Sequence, residues 1–318
     1  MEKKKKIRFG ELIVELSLPI LLIALMVFFS FMSDKFFTTQ NLTNILVQNV
    51  HVAICSAAVM IIMISGGTDL SIGYQMSVSA VLVAKAISVH NIPVAIAVIC
   101  GILLCSLLGT FNGFMALKLK SSPMIVTLGT MAIFQGISFL ISESKTYHNL
   151  PRSFMYIGQG RIFGWLPINV LIMIVILLVV GFVMNKTVIG RKVYAAGDNP
   201  EAGRLAGLNV AKIKILSFTV AGILVGISAV LLAARSGSAD SATGVGIEFT
   251  GITACVLSGV ALKGGEGTLW KVIVAVFVLG VLANGMQLIN LGTYPQYIAK
   301  GVIMLSSLWL TNKNAKTM

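Results

Sequence analysis

The sequence predicts an all-α membrane protein of about ten crossing helices, arranged five plus five in two inverted halves. Three observations predict it. Of the 318 residues, 57% are hydrophobic and only 11% are charged, against about a quarter in soluble domains. The apolar residues gather into runs near the roughly 20 residues that cross a bilayer. And two residue patterns recur about half a chain apart.

The runs fall at 16–32, 45–64, 74–89, 92–117, 123–141, 167–185, 213–233, 249–262, 269–289 and 296–311. They leave no room for a soluble domain, so 1–318 is read as one transmembrane domain with halves at about 16–150 and 160–312. The basic stretch Met1–Arg8 before the first run resembles a signal peptide. The run ends in Ser33-Asp34-Lys35 without a small-x-small cleavage pattern, so it is read as an uncleaved first span. Runs three and eight are short, and short or glycine-interrupted segments are where transporters place binding sites.

Orientation follows from Lys and Arg in the loops. With the N-terminus cytoplasmic, 17 of the 24 lie on the inner side, 5 on the outer side, and Lys85 and Lys300 within spans. That predicts both termini inside and an even number of spans. It also accounts for the net charge of +13 as membrane orientation rather than nucleic-acid binding. The four cysteines, Cys55, Cys100, Cys105 and Cys255, sit in apolar runs without a Cys-x-x-Cys pair and are read as small buried apolar residues.

Asn112-Gly113 followed by Pro123 and Gly129 recurs 172 residues later as Asn284-Gly285, Pro295 and Gly301. Ser65-Gly66-Gly67-Thr68-Asp69 with Gly73 recurs at an offset of 171 as Ser236-Gly237-Ser238-Ala239-Asp240 with Gly244. The offset carries span two onto seven, four onto nine and five onto ten. A shift of five spans is odd, so the second half lies upside down relative to the first, an architecture of solute transporters. It also pairs the outer loop 33–44 with the longer inner loop 186–212.

In that inner loop, Asp198 or Asn199 suits an N-cap, Pro200 the first helical position, and Glu201 the positive end of the helix dipole. Ala202, Leu205 and Ala206 form a small apolar stripe, and Gly207 fits the C-terminal end. The spacing predicts a short capped helix on the cytoplasmic face whose stripe seeks a soluble partner, since a helix this short is marginal alone.

Ser65–Gly73 breaks the chain between two apolar runs, and broken backbone in hydrocarbon survives only where protein or a water-filled cavity covers it. Candidate pathway residues are therefore Gly66, Gly67, Asp69, Ser71, Asn112, Asp240, Asn284 and Lys300. Asp69 either faces the pathway or caps span three. Asn112 and Asn284 either line it or hydrogen-bond freed carbonyls. Lys300, about ten residues from the span end, reads as a pathway or helix-locking cation, because a charge at that depth is expensive. Lys85 reads as a snorkelling lysine near a span end. His51, His90 and His148 lack metal-ligand spacing and read as structural or interfacial. No cofactor, metal site or catalytic constellation is expected.

Ile64-Ser65-Gly66-Gly67-Thr68-Asp69-Leu70-Ser71-Ile72-Gly73 resembles the glycine-rich signature of the ribose-type permease family of ABC sugar importers. So do Pro123-Met124-Ile125-Val126-Thr127-Leu128-Gly129-Thr130, Gly197-Asp198-Asn199-Pro200-Glu201-Ala202, and the cluster of Ser258-Gly259, Gly264-Gly265 and Gly267-Thr268. Thr68 stands where most members carry an aliphatic residue. The resemblance, in order from about residue 40 to 310, implies a permease of the bacterial cytoplasmic membrane, translocating a ribose-like monosaccharide. It implies a second permease subunit, identical or paralogous, a cytoplasmic ATP-binding subunit and an extracytoplasmic sugar-binding protein as partners, all within membrane lipid. The short helix would be the coupling helix that enters the ATPase. No Gly-x-x-x-x-Gly-Lys-Ser/Thr motif occurs, so ATP hydrolysis is assigned to that other subunit. The rival class is an ion-coupled secondary transporter with Asp69 and Lys300 as a relay. Against it stand the capped inner helix and the lack of carboxylates within the spans.

Overall fold

The computed structural model describes residues 9–315, and side chains from 16 to 306. The helices are α1 (Phe9–Met32), α2 (Thr39–Ile64), α3 (Ile72–Ser88), α4 (Val94–Lys118), α5 (Pro123–Ser142), α6 (Arg152–Gln159), α7 (Ile168–Lys186), α8 (Val188–Asp198), α9 (Pro200–Leu205), α10 (Val210–Ser236), α11 (Ile247–Leu257), α12 (Leu269–Leu288) and α13 (Thr293–Ala315). A two-stranded hairpin, β1 (Arg161–Ile162) with β2 (Leu166–Pro167), closes the connection between α6 and α7. The all-α polytopic membrane fold stands. Among the described residues, six helices, α2, α4, α5, α7, α10 and α12, are long and apolar enough to cross a membrane.

Every predicted run contains a helix, and of the two short runs the third keeps its expected length while the eighth does not. Run three becomes α3, 17 residues. Run eight shrinks to α11, 11 residues, because Gly259, Gly264 and Gly265 hold positive φ and carry 258–268 as turns. At 1.5 Å per residue, α11 spans only about 16 Å, roughly half a bilayer core.

The halves exchange partners. From the first half, α3 and α4 lie on α10; from the second, α11 and α12 lie on α2, and α2 and α10 lie against each other. Small residues allow the closest of these approaches. On α4, Gly109 and Gly113 face Phe218 of α10, while Gly222 and Gly226 of α10 face Ile102, Cys105 and Ser106. The Thr110 and Thr219 hydroxyls share a hydrogen bond across the seam, 2.7 Å apart. α2 is buried without interruption from Ala53 to Ile64. The outer sides of α4, α5 and α7 expose Leu, Ile and Phe, as lipid-facing helices do.

Two readings are corrected here. Cys100 is exposed, unlike Cys55, Cys105 and Cys255, because it sits on the outward side of α4. Lys85 does not snorkel freely. Its Nζ donates to the Ile141 carbonyl oxygen (2.9 Å) and to Glu143 (2.8 Å), pinning the end of α3 to that of α5.

Candidate functional site

The first break begins where α2 ends, at Ser65. Gly66 takes φ +80°, and the Gly66 and Gly67 N–H groups donate back to Met63 and Ile62. Beyond it the chain turns inward around a buried polar knot. Asp69, 3% exposed, accepts from the Ser71 N–H (2.8 Å) and hydroxyl (2.7 Å) through one oxygen, and from Gln75 (2.9 Å) and Asn112 (3.1 Å) through the other. Asn112 and Gln75 also donate to the Ser71 hydroxyl oxygen. Thr127 of α5 holds the same segment, accepting from the Leu70 N–H and donating to the Thr68 carbonyl oxygen. So Asp69, Ser71 and Asn112 come together. The local reason is an Asx-turn, in which a short carboxylate bonds the backbone two residues on.

The second break repeats that turn. Asp240 accepts from the Ala242 N–H (2.9 Å) and the Thr243 hydroxyl (3.0 Å). The two breaks meet inside the protein. A Cβ on Gly73 would lie 3.0 Å from the Gly244 carbonyl oxygen, and one on Gly244 would lie 3.2 Å from that of Gly73. The Ser77 hydroxyl crosses between them to the Thr243 carbonyl oxygen, 2.6 Å away. Beside the contact lies Glu248, buried, its carboxylate accepting from the Gly246 N–H. Sequence reasoning missed Glu248, which stands one residue before run eight, where a carboxylate reads as a loop residue. It also missed Gln75 and Thr127; their only signal was being polar at positions that face the break.

Asn284 lies elsewhere, near the opposite end of α12. It exchanges amide hydrogen bonds with Asn41 of α2, 2.9 Å each way, both side chains being buried.

The predicted short helix is α9. Asn199 caps it, accepting from the Glu201 (3.1 Å) and Ala202 (3.0 Å) N–H groups through its side-chain oxygen. Pro200 and Glu201 occupy the first turn, and Gly207 turns the chain at φ +82°. Leu205 is 90% exposed, and Ala202, Ala206 and Arg204 face outward with it. Asp198 is not its cap; it ends α8, an amphipathic helix that sequence reasoning missed although Thr187 caps it by accepting from Gly190 N–H.

The root of α9 is seated on the first break. Gly197, Gly66, Gly264 and Gly265 interlock there. A Cβ on Gly197 would strike the Ile64 carbonyl oxygen, and one on Gly264 would lie 2.8 Å from Gly66 Cα. Gly265 N–H donates to the Ile64 carbonyl oxygen (2.9 Å), and Tyr194 of α8 donates to that of Gly267 (2.8 Å). The residues before α9 and the end of α2 are thus in direct contact.

Two cavities adjoin these elements. One, about 290 Å³, has Ser65, Gly67, Gly113, Arg204 and Lys214 in its wall. The other, about 230 Å³, lies between α2, α11, α12 and α13 and has Lys300 in its wall. Among the described residues no cluster of metal-ligating side chains is found.

A family profile described as branched-chain amino acid transport system permease component matches residues 41–308. The chain is 36% identical to the L-arabinose transport system permease protein AraH of Escherichia coli (strain K12), over 77% of this chain and 74% of that one. It is 30% identical to the ribose import permease protein RbsC of Haemophilus influenzae, over 96% and 95%. It is 32% identical to the fructose import permease protein FrcC of Rhizobium meliloti, over 91% and 82%. No solved structure matches significantly.

Proposed function

The chain belongs to the family of branched-chain amino acid transport system permease components, and on that premise we propose that it is the membrane subunit of an ATP-driven importer of a monosaccharide. The arabinose, ribose and fructose permeases it resembles support the substrate class. The chain is a transport subunit, not an enzyme; ATP is hydrolysed on a separate subunit.

The observation that carries the mechanism is the seating of α9. A partner in contact with Leu205 on its exposed side moves a helix whose root is locked, glycine to glycine, against Ile64–Gly66. In this reading α9, from Asn199 through Pro200, Glu201, Ala202, Leu205 and Ala206 to Gly207, is the coupling helix. It docks on an ATP-binding subunit in the cytoplasm, with both chain termini on that side of the bacterial cytoplasmic membrane. A sugar-binding protein delivers substrate to the opposite face, and a second permease, identical or paralogous, completes the route. ATP binding draws the coupling helices together, the joint moves Gly66 and Gly67, and the route changes exposure. Asp69, Ser71, Asn112, Asp240 and Asn284 hold the backbone breaks and helix ends that form its walls, while Lys300 reaches a cavity.

The reciprocal packing of α2 and α10 and the twin Asx-turns support an inverted repeat of α2 to α5 with α10 to α13, four of the five pairs that a 5+5 arrangement requires. Helices α1 and α7 fall outside it, since α1 packs on α12 whereas α7 packs on α2.

The test is import into proteoliposomes holding this chain with its ATPase and binding protein. Uptake of labelled arabinose, ribose or fructose requires internal hydrolysable ATP and persists with an ionophore. Uptake that an ionophore abolishes and ATP depletion spares would assign an ion-coupled transporter instead.

A further inference from the structure

The 230 Å³ cavity holds chemistry that the coupling mechanism does not use. Its wall brings Asn49 and His51 from α2, Gly246 and Thr250 from the start of α11, and Tyr297 and Lys300 from α13. Three features set it apart. The His51 ring stands in the wall and makes no hydrogen bond within the described chain, its buried Nδ1 included. Among the described residues Lys300 has no carboxylate partner, the ion pairs being those of Lys85 and Lys145 with Glu143. A cation in a membrane-spanning helix without a partner marks a ligand path or site. Lastly, among the described residues no carboxylate stands in the wall beside Lys300, which favours a neutral occupant over a cation.

The donor and acceptor set is that of a polyhydroxylated neutral solute. Lysine offers up to three donors; the imidazole, its Nδ1 buried, offers one nitrogen; Asn49, one amide N–H given to the Ile45 carbonyl oxygen, keeps an oxygen and a second N–H; Thr250, donating to the Gly246 carbonyl oxygen, can accept; and the Tyr297 hydroxyl does either. Tyr297 adds a ring against which the C–H face of a pyranose or furanose can lie. The volume is below the roughly 300–1,000 Å³ of drug-sized pockets, and so of monosaccharide scale. The wall is built for the space: Asn49 sits directly over Gly280, where any Cβ would collide with its amide.

Resting on the sugar-importer reading, we propose that this cavity is a monosaccharide-binding site within a single permease chain. His51 and Lys300 bind the sugar hydroxyls there.

The test uses the assembled transporter in proteoliposomes. With Cys100→Ser removing the exposed thiol, Thr250→Cys places a maleimide target in the wall. Labelling slowed several-fold by whichever of arabinose, ribose or fructose the wild type imports supports the site. So does import lowered about tenfold in both His51→Phe and Lys300→Met, the scale of one hydrogen bond to a charged or buried group. In these variants thermal stability should be unchanged or higher, whereas a structural role predicts that stability falls together with import. Wild-type import with sugar-independent labelling and unimpaired His51→Phe and Lys300→Met would overturn the site alone, leaving water as the occupant. No import of any of the three sugars by the wild type would overturn both the site and the importer reading.

Discussion

Gly73 and Gly244, 171 positions apart and paired by the sequence repeat, lie against each other in the interior, so that a Cβ added to either would come within 3.0 or 3.2 Å of the other's carbonyl oxygen. Such reciprocity is what a pseudo-two-fold axis running through a duplicated chain produces. It also leaves no room for a side chain. Ala at either position meets backbone, and at Gly73 it meets the Glu248 carboxylate as well. Overpacking of this kind costs about 1–3 kcal/mol, with added backbone strain at Gly244, whose φ is +100°. Gly73→Ala and Gly244→Ala should each lower the melting temperature of the detergent-purified chain. Because they disturb one contact, the double variant should lose less than the sum. Strictly additive losses would show that the two breaks do not act as a unit.

The glycine joint beneath α9 gives a sharper contrast. A Cβ on Gly197 strikes the Ile64 carbonyl oxygen, whereas one on Gly203, in α9 itself, finds ordinary contacts no nearer than 3.5 Å. Gly197→Ala should therefore separate α9 from the end of α2 and abolish ATP-dependent import. Gly203→Ala should retain import and, by raising helix propensity, hold or slightly raise stability. Equal import by the two variants would remove the joint from the coupling route.

What the sequence disclosed follows from how each feature is encoded. The apolar runs, the cap and turn at Asn199 and Gly207, and the repeat of Asp69 as Asp240 are local or periodic, so they were legible. Which polar residue of an apolar run faces which neighbour is not local. Gln75 and Asn112 reach Asp69 from two helices, and Asn41 reaches Asn284 across 243 positions. No period links such pairs. α8 escaped because its buried face is made of Gly190, Val193, Ala196 and Gly197, residues too small to register as an apolar stripe. The meeting of Gly73 with Gly244 was implicit in the duplication, but only the exchange of α2 and α10 between halves turns equivalence into contact.

Leu205 tests the docking role of α9 directly. Its side chain is almost fully exposed and makes no core contact, so Leu205→Arg should leave membrane insertion, yield and melting temperature unchanged, within the ±0.5 kcal/mol usual for surface sites. Import and co-purification of the ATP-binding subunit should both be lost. Retention of both would place the docking surface elsewhere.

Glu143, just beyond the end of α5, carries a pH dependence in the acid range. Hydrogen bonds from Lys85 and Lys145, 2.8 and 2.9 Å, hold its carboxyl down to about 2, below the ordinary 4.5. A carboxyl depressed in the folded state stabilises fully above its unfolded value, and that stabilisation is lost as pH falls from about 4.5 towards 2. The group is exposed, so the effect is modest and weakened by salt. The melting temperature should fall more steeply between pH 5 and pH 3 in the wild type than in Glu143→Gln. Parallel profiles would mean that the tie between α3 and α5 contributes nothing.

Asn41 and Asn284 donate to each other at 2.9 Å in a buried site. Asn41 also donates to the Phe36 carbonyl oxygen (2.9 Å), fixing the turn before α2. Removing one amide strands the other, and an unsatisfied buried polar group costs about 1–3 kcal/mol. Removing both with residues of similar shape abolishes that penalty, leaving only the bond to Phe36 missing. Asn284→Leu should therefore destabilise more than the Asn41→Leu/Asn284→Leu double variant, an inversion that a pathway-lining role for Asn284 does not produce. Import separates the roles further. If Asn284 only clamps α2 to α12, the double variant should transport near the wild-type rate once folded. If its amide touches passing solute, import should stay low however stable the chain becomes. A double-mutant cycle on melting temperature and import rate, run on the same preparations, decides between them.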